Sequence, residues 1–195
     1  MMKNRINSKK EATHQRILEA VHSGFKQHGY DGAGVDGLAK EAKVTSGAFY
    51  AHFGSKAGAF REAIHEGLSQ VKELIEQLQA ECGDDWLEKF SEIYLGEKRC
   101  SDLSNSCAMQ SLTSEVARSD DETRTIFEND LLEIVDIFSG GLFEKDGKEN
   151  LEKSWATISM LVGSVTLARA VKNPDLSNSI ANTVCRVIKK SNHRP

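Results

Sequence analysis

Val-Thr-Ser-Gly-Ala-Phe-Tyr-Ala-His-Phe-Gly-Ser-Lys, residues 44–56, is the stretch of sequence that decides the fold of the chain's first third. Thr45 can cap the start of a short helix, because its hydroxyl can accept a hydrogen bond from a backbone N–H in the first turn. Phe49 and Phe53 lie one helical turn apart and predict the buried face of that helix. Ser55 offers the same kind of cap to a second helix directly after it.

The first turn of this predicted helix consists of small side chains, which let its N-terminus approach another surface closely. The free backbone N–H groups of a helix N-terminus favour an anion, and a DNA phosphate is the nearest biological anion for such a surface. We therefore expect a DNA-contacting surface formed by Thr45, Ser46, Gly47, Ala48, Tyr50, His52, Ser55 and Lys56. The alternative is an ordinary helical hairpin inside a core, with Tyr50 and His52 as plain surface residues.

Two further helices are expected before this one. Between residues 9 and 28 apolar side chains recur at three- and four-residue steps, which predicts an amphipathic helix that ends at Gly29. A short helix over residues 35–42 follows, with a tight turn at Lys43 and Val44. A supporting helix followed by one that enters the DNA major groove N-terminus first is a helix-turn-helix, and this spacing is typical of it.

The first third of the chain resembles the N-terminal part of TetR/AcrR-family transcriptional regulators. The resemblance covers residues 13–64 and rests on Phe-Lys-Gln-His-Gly-Tyr at 25–30, Val-Asp-Gly-Leu-Ala-Lys-Glu-Ala at 35–42 and Phe-Tyr-Ala-His-Phe at 49–53. It implies an all-α homodimer whose N-terminal heads bind a palindromic operator. It also implies a variable C-terminal domain that holds a pocket for a small-molecule effector.

The resemblance assigns roles within the predicted DNA surface. It implies that residues 45–48 lie at the groove and that Tyr50, His52 and Lys56 touch phosphates. Members of the family often have Thr or Ser at the start of the second helix, where this chain has Ala33 and Gly34. Such regulators also tend to carry a Cys…Glu-Val-Ala-Arg segment, and residues 107–118 look like a version of it that is one residue longer.

The composition is that of a soluble globular protein. Of the 195 residues 39% are hydrophobic and 28% charged, and no apolar run is long enough to span a membrane. The N-terminus lacks the apolar segment of a secretory signal, so we expect a cytoplasmic protein. The net charge of −4 is uneven, since residues 1–67 hold ten Lys and Arg against seven Asp and Glu. The sequence thus predicts a basic head on an acidic body.

The rest of the chain predicts helices and no strands. A long helix begins near Ser55 and runs to Leu78 with an unbroken apolar stripe. Other helices are expected at 85–95, 108–118, 121–138 and 151–171, with a loop at 139–150 and a last helix after Pro174. The predicted fold is therefore all-α, with a helix-turn-helix DNA-binding domain at 1–54 and a helical effector-binding and dimerisation domain at 55–195.

The last two helices are apolar around much of their circumference, which requires cover on two sides. One interpretation is a central core helix, and the other is packing against a second copy of the chain. For the second, the predicted interface residues are Leu161, Val165, Leu167, Val171, Ile180, Val184, Val187 and Ile188.

An effector pocket is predicted only from the apolar residues of the body, because ligand pockets are mostly apolar. The candidates are Phe90, Tyr94, Cys107, Met109, Leu112, Phe127, Trp155 and Met160. Their character favours a hydrophobic or aromatic effector, or an electrophilic one. Cys107 and Cys100 suggest a redox or electrophile sensor, since Lys98 and Arg99 place beside Cys100 the positive charge that reactive thiols need. The competing interpretation is that both cysteines are structural.

Enzyme chemistry is not expected. The sequence lacks a phosphate-binding glycine loop, a dinucleotide fingerprint and an HExxH run, and its four cysteines form no CxxC pair. No metal and no cofactor are therefore predicted. The sequence predicts a TetR-type DNA-binding transcriptional regulator, a repressor released from its operator by a small molecule. An all-α adaptor that binds other proteins and no DNA is the alternative from another class.

Overall fold

The computed structural model describes residues 2–142 and 147–192, and within these ranges all regular elements are helices. The α-helices are α1 (Met2–Gly32), α2 (Val35–Glu41), α3 (Ser46–Phe53), α4 (Lys56–Cys82), α5 (Trp86–Ile93), α6 (Ala108–Val116), α7 (Asp121–Gly140), α8 (Gly147–Ala170) and α9 (Pro174–Asn192). The predicted all-α fold is thereby confirmed. Of the predicted loop at 139–150, residues 143–146 lie outside the described residues, and helix occupies much of the remainder.

The first three helices form a compact unit because α1 supports both of the others. The backbone of α1 breaks from helical geometry at Gly29, where φ is +70°, a value that glycine adopts without strain. Gly24 of α1 lies directly against the Leu38 side chain of α2, so any side chain at this position would collide with it. The Arg16 side chain donates to the Ala42 carbonyl at 3.1 Å and ties α1 to the end of α2.

Helix α4 joins this unit to the rest of the molecule. Its 27 residues span about 40 Å at 1.5 Å per residue. Its inner stripe is buried along its length, with Ile64, Leu68 and Ile75 fully inaccessible to solvent. One continuous apolar core therefore extends from the head into the body. The division predicted after residue 54 falls in the turn between α3 and α4 and stays a prediction.

The sequence predicted one helix over residues 85–95, and the structure places three short elements there. Residues 83–85 form a 3-10 turn, α5 follows, and Tyr94–Lys98 continues as a π-helix. A single π-helical turn widens the helix locally, and such turns are frequent at functional sites. It brings Tyr94 and Lys98 to the wall of a cavity described below.

The predicted dimer residues divide into two groups. Leu161, Val165 and Ile188 are at most 1% exposed inside the single chain, where they belong to its own core, and their assignment to an interface stays a prediction. Their side chains pack between α8, α9 and the rest of the body. The periodicity of a sequence shows that a helix face is buried, but it does not show whether the same chain or a second copy covers that face. The others remain accessible at least in part, and Leu167 is 61% exposed.

Uncovered apolar side chains mark the outer faces of α8 and α9. Along α8 the exposed residues follow four-residue steps and include Leu151, Trp155, Gly163 and Leu167. Trp155 lies on this outer face, and its assignment to a pocket stays a prediction. No helix in the described part of the chain is long and apolar enough to cross a lipid bilayer.

Candidate functional site

The N-terminus of α3 is open to solvent. The Thr45 hydroxyl accepts a hydrogen bond from the Ala48 N–H at 3.1 Å, as the sequence predicted for the cap. Thr45 and Gly47 are exposed, while Ser46 and Ala48 are half-buried. The start of α3 therefore leaves the backbone N–H groups of Ser46 and Gly47 outside the cap, with little side-chain bulk in front of them.

A hydrogen bond between side chains fixes the angle between α2 and α3. The Ser46 hydroxyl donates to the Asp36 carboxylate at 2.6 Å. The turn between the helices is closed by the Val44 N–H, which donates to the Ala39 carbonyl at 2.9 Å. Lys43 in this turn adopts a φ of +55°, which is uncommon for a residue other than glycine. Asp36, which the sequence analysis did not single out, is thus a positioning residue for the helix that faces outward.

The inner face of α3 is held by aromatic contacts. Phe49 is fully buried, and its ring centroid lies 5.2 Å from that of Phe53. The Phe53 ring in turn lies 5.0 Å from His14 of α1. Tyr50, on the opposite face, is 49% exposed, as the spacing of the two phenylalanines predicted.

His52 is less free than the sequence suggested. Its ring lies 5.4 Å from His14, whose Nε2 is 2.9 Å from the Glu62 carboxylate of α4. Partial burial, together with the nearby His14, lowers the pKa of His52 below its ordinary value. Its ring can offer a hydrogen bond to a phosphate.

The start of α4 lies next to the α3 surface. Gly54, with φ of +69°, turns the chain, and the Ser55 hydroxyl caps α4 by accepting from the Gly58 N–H at 2.9 Å. The Lys56 ammonium lies 4.6 Å from the centre of the Tyr30 ring, over its face. This cation–π contact holds the charge of Lys56 near the junction of α1, α3 and α4.

Comparisons with known proteins agree with this geometry. Residues 17–63 match the family model described as bacterial regulatory proteins, tetR family. Over these residues the chain belongs to the tetR family. The matched residues contain α2 and α3 whole, together with the parts of α1 and α4 that pack on them. The tetR family consists of DNA-binding regulators and not of enzymes.

Individual relatives match over different lengths. The HTH-type transcriptional repressor SCO4008 of Streptomyces coelicolor is 38% identical over 56 residues, which is 29% of each chain. The HTH-type transcriptional regulator LmrA of Bacillus subtilis is 22% identical over 181 residues, covering 90% of this chain and 96% of the relative. The structure of reduced NemR of E. coli superposes with a TM-score of 0.78 over 92% of this chain and 96% of its own, at 17% identity. The whole-chain likeness therefore concerns the fold.

The body of the chain contains a cavity of about 380 Å³ that is partly open to solvent. It lies where α4, α5, the π-helix and the turn before α6 meet. It is lined by Gly67, Gln70, Val71, Leu74, Phe90, Ile93, Tyr94, Glu97, Lys98, Ser106, Cys107 and Ala108. We name it the α4–α6 cavity.

Of the eight predicted pocket residues, Phe90, Tyr94 and Cys107 line the α4–α6 cavity. Met109 and Leu112 are at most 3% exposed, belong to the core and do not line this cavity, so their assignment to an effector pocket stays a prediction. The remaining three, Phe127, Trp155 and Met160, also do not line it. The apolar character of a residue does not show whether its side chain lines a cavity or lies in a filled core.

Two residues of α1 lie against residues that line the α4–α6 cavity, His22 against Gly67 and Lys26 against Ser106, and neither was predicted from the sequence. His22 is 7% exposed, and its Nε2 has no hydrogen-bond partner. Burial, and after it the charge of Lys26, lowers the pKa of His22 to about 4. Lys26 donates to the Ser106 carbonyl at 3.1 Å, and burial lowers the pKa of its ammonium to about 8. A signal was present, since two polar residues four apart lie beside the apolar stripe of α1.

The cysteines differ in access. Cys107 is buried at the start of α6, and Cys100 is exposed. The Arg99 guanidinium, which the sequence placed near Cys100, donates to the Ser177 hydroxyl at 2.7 Å and to the Asn178 side chain at 2.9 Å. Arg99 thus ties its turn to α9. The hypothesis of a cysteine sensor stays a prediction.

Proposed function

We propose that the chain is a transcriptional repressor that binds a palindromic operator as a homodimer and leaves it when a small molecule fills the α4–α6 cavity. The observation that carries the proposal is the open N-terminus of α3, with small side chains at residues 45–48, in a chain of the tetR family. Repression is favoured over activation because relatives that match the head, such as SCO4008, are named as repressors.

The chemistry of the head supports groove binding. Backbone N–H groups at the start of α3 and the side chains of Tyr50 and His52 offer hydrogen-bond donors to phosphates. Lys56 adds a positive charge at the edge of this surface. The small residues in the first turn let the helix enter the major groove deeply enough to reach base edges.

The outer faces of α8 and α9 support dimerisation. Trp155, Leu167 and Val187 are between 37% and 61% exposed, and a second copy that packs on these faces would remove their apolar surface from water. Gly163 on the same face of α8 has open space around it and allows close approach of a second helix. Two heads joined in this way can bind half-sites about 34–36 Å apart.

The coupling between effector and DNA follows from which helices the α4–α6 cavity touches. Its wall includes α4, the helix that starts at the DNA surface, and the start of α6. Lys26 of α1 bonds to the Ser106 carbonyl in the turn before α6. A ligand that fits only one arrangement of these helices would shift the population of head positions by its differential affinity.

DNA binding is tested by fluorescence anisotropy with the duplex upstream of the chain's own gene, at several salt concentrations. We expect Lys56→Ala to weaken binding and to reduce the slope of log K against log salt by about 0.9. The matched control is Lys89→Ala, an exposed lysine of α5 that is not part of the head. Failure of the wild type to bind, or binding without a salt slope, would favour the adaptor alternative.

Dimerisation is tested by sedimentation velocity. Leu167→Glu should produce a monomer, because it places a charge in the proposed apolar interface. Leu132→Glu is the control, since Leu132 is a comparably exposed leucine of α7, with 51% of its surface accessible. A dimer that survives Leu167→Glu but not Leu132→Glu would place the interface elsewhere.

A further inference from the structure

The α4–α6 cavity has an apolar wall and one polar end. Val71 and Leu74 of α4, with Phe90 and Ile93 of α5, form the apolar part. The polar end is made by the π-helix and the turn before α6, and its residues are Tyr94, Lys98, Ser106 and Cys107. Lys26 stands beside this end, bonded to the Ser106 carbonyl. A molecule that fits the cavity is therefore amphipathic.

The polar end offers hydrogen-bond donors that lack acceptors. The Tyr94 side chain is 2% exposed, and its hydroxyl has no hydrogen-bond partner, with only the weakly accepting Cys107 thiol near it. Burial raises the pKa of Tyr94 well above its ordinary value, so the phenol keeps its proton. A buried donor left without an acceptor costs free energy, and an acceptor on a ligand would remove that cost.

The same end carries two positive charges without a counter-ion. Within the described ranges, no carboxylate lies within 4 Å of the Lys26 or Lys98 ammonium. Glu97, the acidic residue of the lining, is exposed and pairs with neither of them. Burial, and after it the nearby positive charge of Lys98, lowers the pKa of Lys26. An anion placed between them would be stabilised by both.

We propose that the α4–α6 cavity binds a small amphipathic carboxylate. Its anionic group accepts hydrogen bonds from Tyr94, Lys26 and Lys98, and its apolar body lies against Val71 and Phe90. The volume of about 380 Å³ lies near the lower end of the range for ligand sites, roughly 300–1,000 Å³. It suits a phenyl ring or a medium-length alkyl chain. The role of this ligand as an effector rests on the proposed function, but its binding does not.

The test is isothermal titration calorimetry on the full-length protein without DNA. The probes are 3-phenylpropionate and octanoate, each compared with its neutral amide. We expect each acid to bind at least about tenfold more tightly than its amide, because hydrogen bonds to a charged group are the stronger ones. Lys98→Met should weaken binding of the acid about tenfold and leave the amide unchanged.

Further variants separate a binding role from a structural one. Lys26→Met and Tyr94→Phe should also weaken the acids selectively, and Lys89→Met, on the outer face of α5, should change nothing. Equal affinities for acid and amide, or acids that bind Lys98→Met as tightly as wild type, would overturn the proposal. Failure of both acids to bind would overturn it as well.

A parallel anisotropy experiment distinguishes this inference from the proposed function. If the acids bind but leave the protein on its DNA, the ligand class holds and the effector role fails. If the protein binds no DNA at all, the proposed function fails whatever the calorimetry shows. Release of DNA by the acid and not by the amide supports both.

Discussion

At Gly67 of α4 the helices α1 and α6 pack so closely that replacing the glycine by alanine should push them apart. A Cβ atom at this position would collide with the Ala108 Cβ of α6 and lie 2.7 Å from Nε2 of His22. Both neighbours are themselves buried, so neither can swing into solvent. Gly67 also lines the α4–α6 cavity, and the added methyl group would reduce its volume.

The expected change in the free energy of unfolding of Gly67→Ala follows from two opposing effects. Alanine stabilises a helix interior by about 1 kcal/mol relative to glycine. Forcing an extra methyl group into a filled core costs about 1–3 kcal/mol. Gly67→Ala should therefore lower the free energy of unfolding by about 1 kcal/mol, whereas Gly37→Ala, with open space at its Cβ, should raise it by about 0.5–1 kcal/mol.

The two variants are compared with wild type by equilibrium urea unfolding at one protein concentration, since association adds to apparent stability. The difference between them, about 2 kcal/mol, exceeds the error of the measurement. Calorimetric titration of the acids should also show weaker binding to Gly67→Ala. A Gly67→Ala protein as stable as Gly37→Ala would refute the close approach of the three helices.

Three further predictions concern single side chains. The pKa of His22 is about 4 in the folded protein and 6.5 in the unfolded chain, so between these pH values the unfolded state binds more protons than the folded state. The free energy of unfolding should therefore fall as the pH drops from 6.5 to 4, by up to about 3 kcal/mol. In urea titrations at several pH values His22→Gln should lose most of this dependence, and His28→Gln, at an exposed position, should keep it. Tyr94→Phe should leave thermal stability unchanged or raise it slightly, because the hydroxyl that it removes has no hydrogen bond; marked destabilisation would reveal a partner. N-ethylmaleimide should label exposed Cys100 faster than buried Cys107 by mass spectrometry, and rapid labelling of Cys107 with loss of DNA binding would support the sensor hypothesis.

The sequence by itself determined the local structure of the head. Thr45 and Ser55 act as caps because a hydroxyl next to a helix start needs only its own neighbours to accept an N–H. The burial of Phe49 and the exposure of Tyr50 follow from helical periodicity, which is also a local property. The break in α1 at Gly29 and the all-α class could also be predicted from the sequence, because they too depend on local properties of the chain.

Only the tertiary structure decided which apolar faces meet. Leu161 and Leu167 lie on the same helix and look alike in sequence, but one is 1% and the other 61% exposed. Which side of an apolar helix is covered depends on neighbours far away in the chain, and periodicity carries no information about them. The polar end of the cavity could not be predicted from the sequence either, because Lys26 and Ser106 lie 80 residues apart and come together only through tertiary packing.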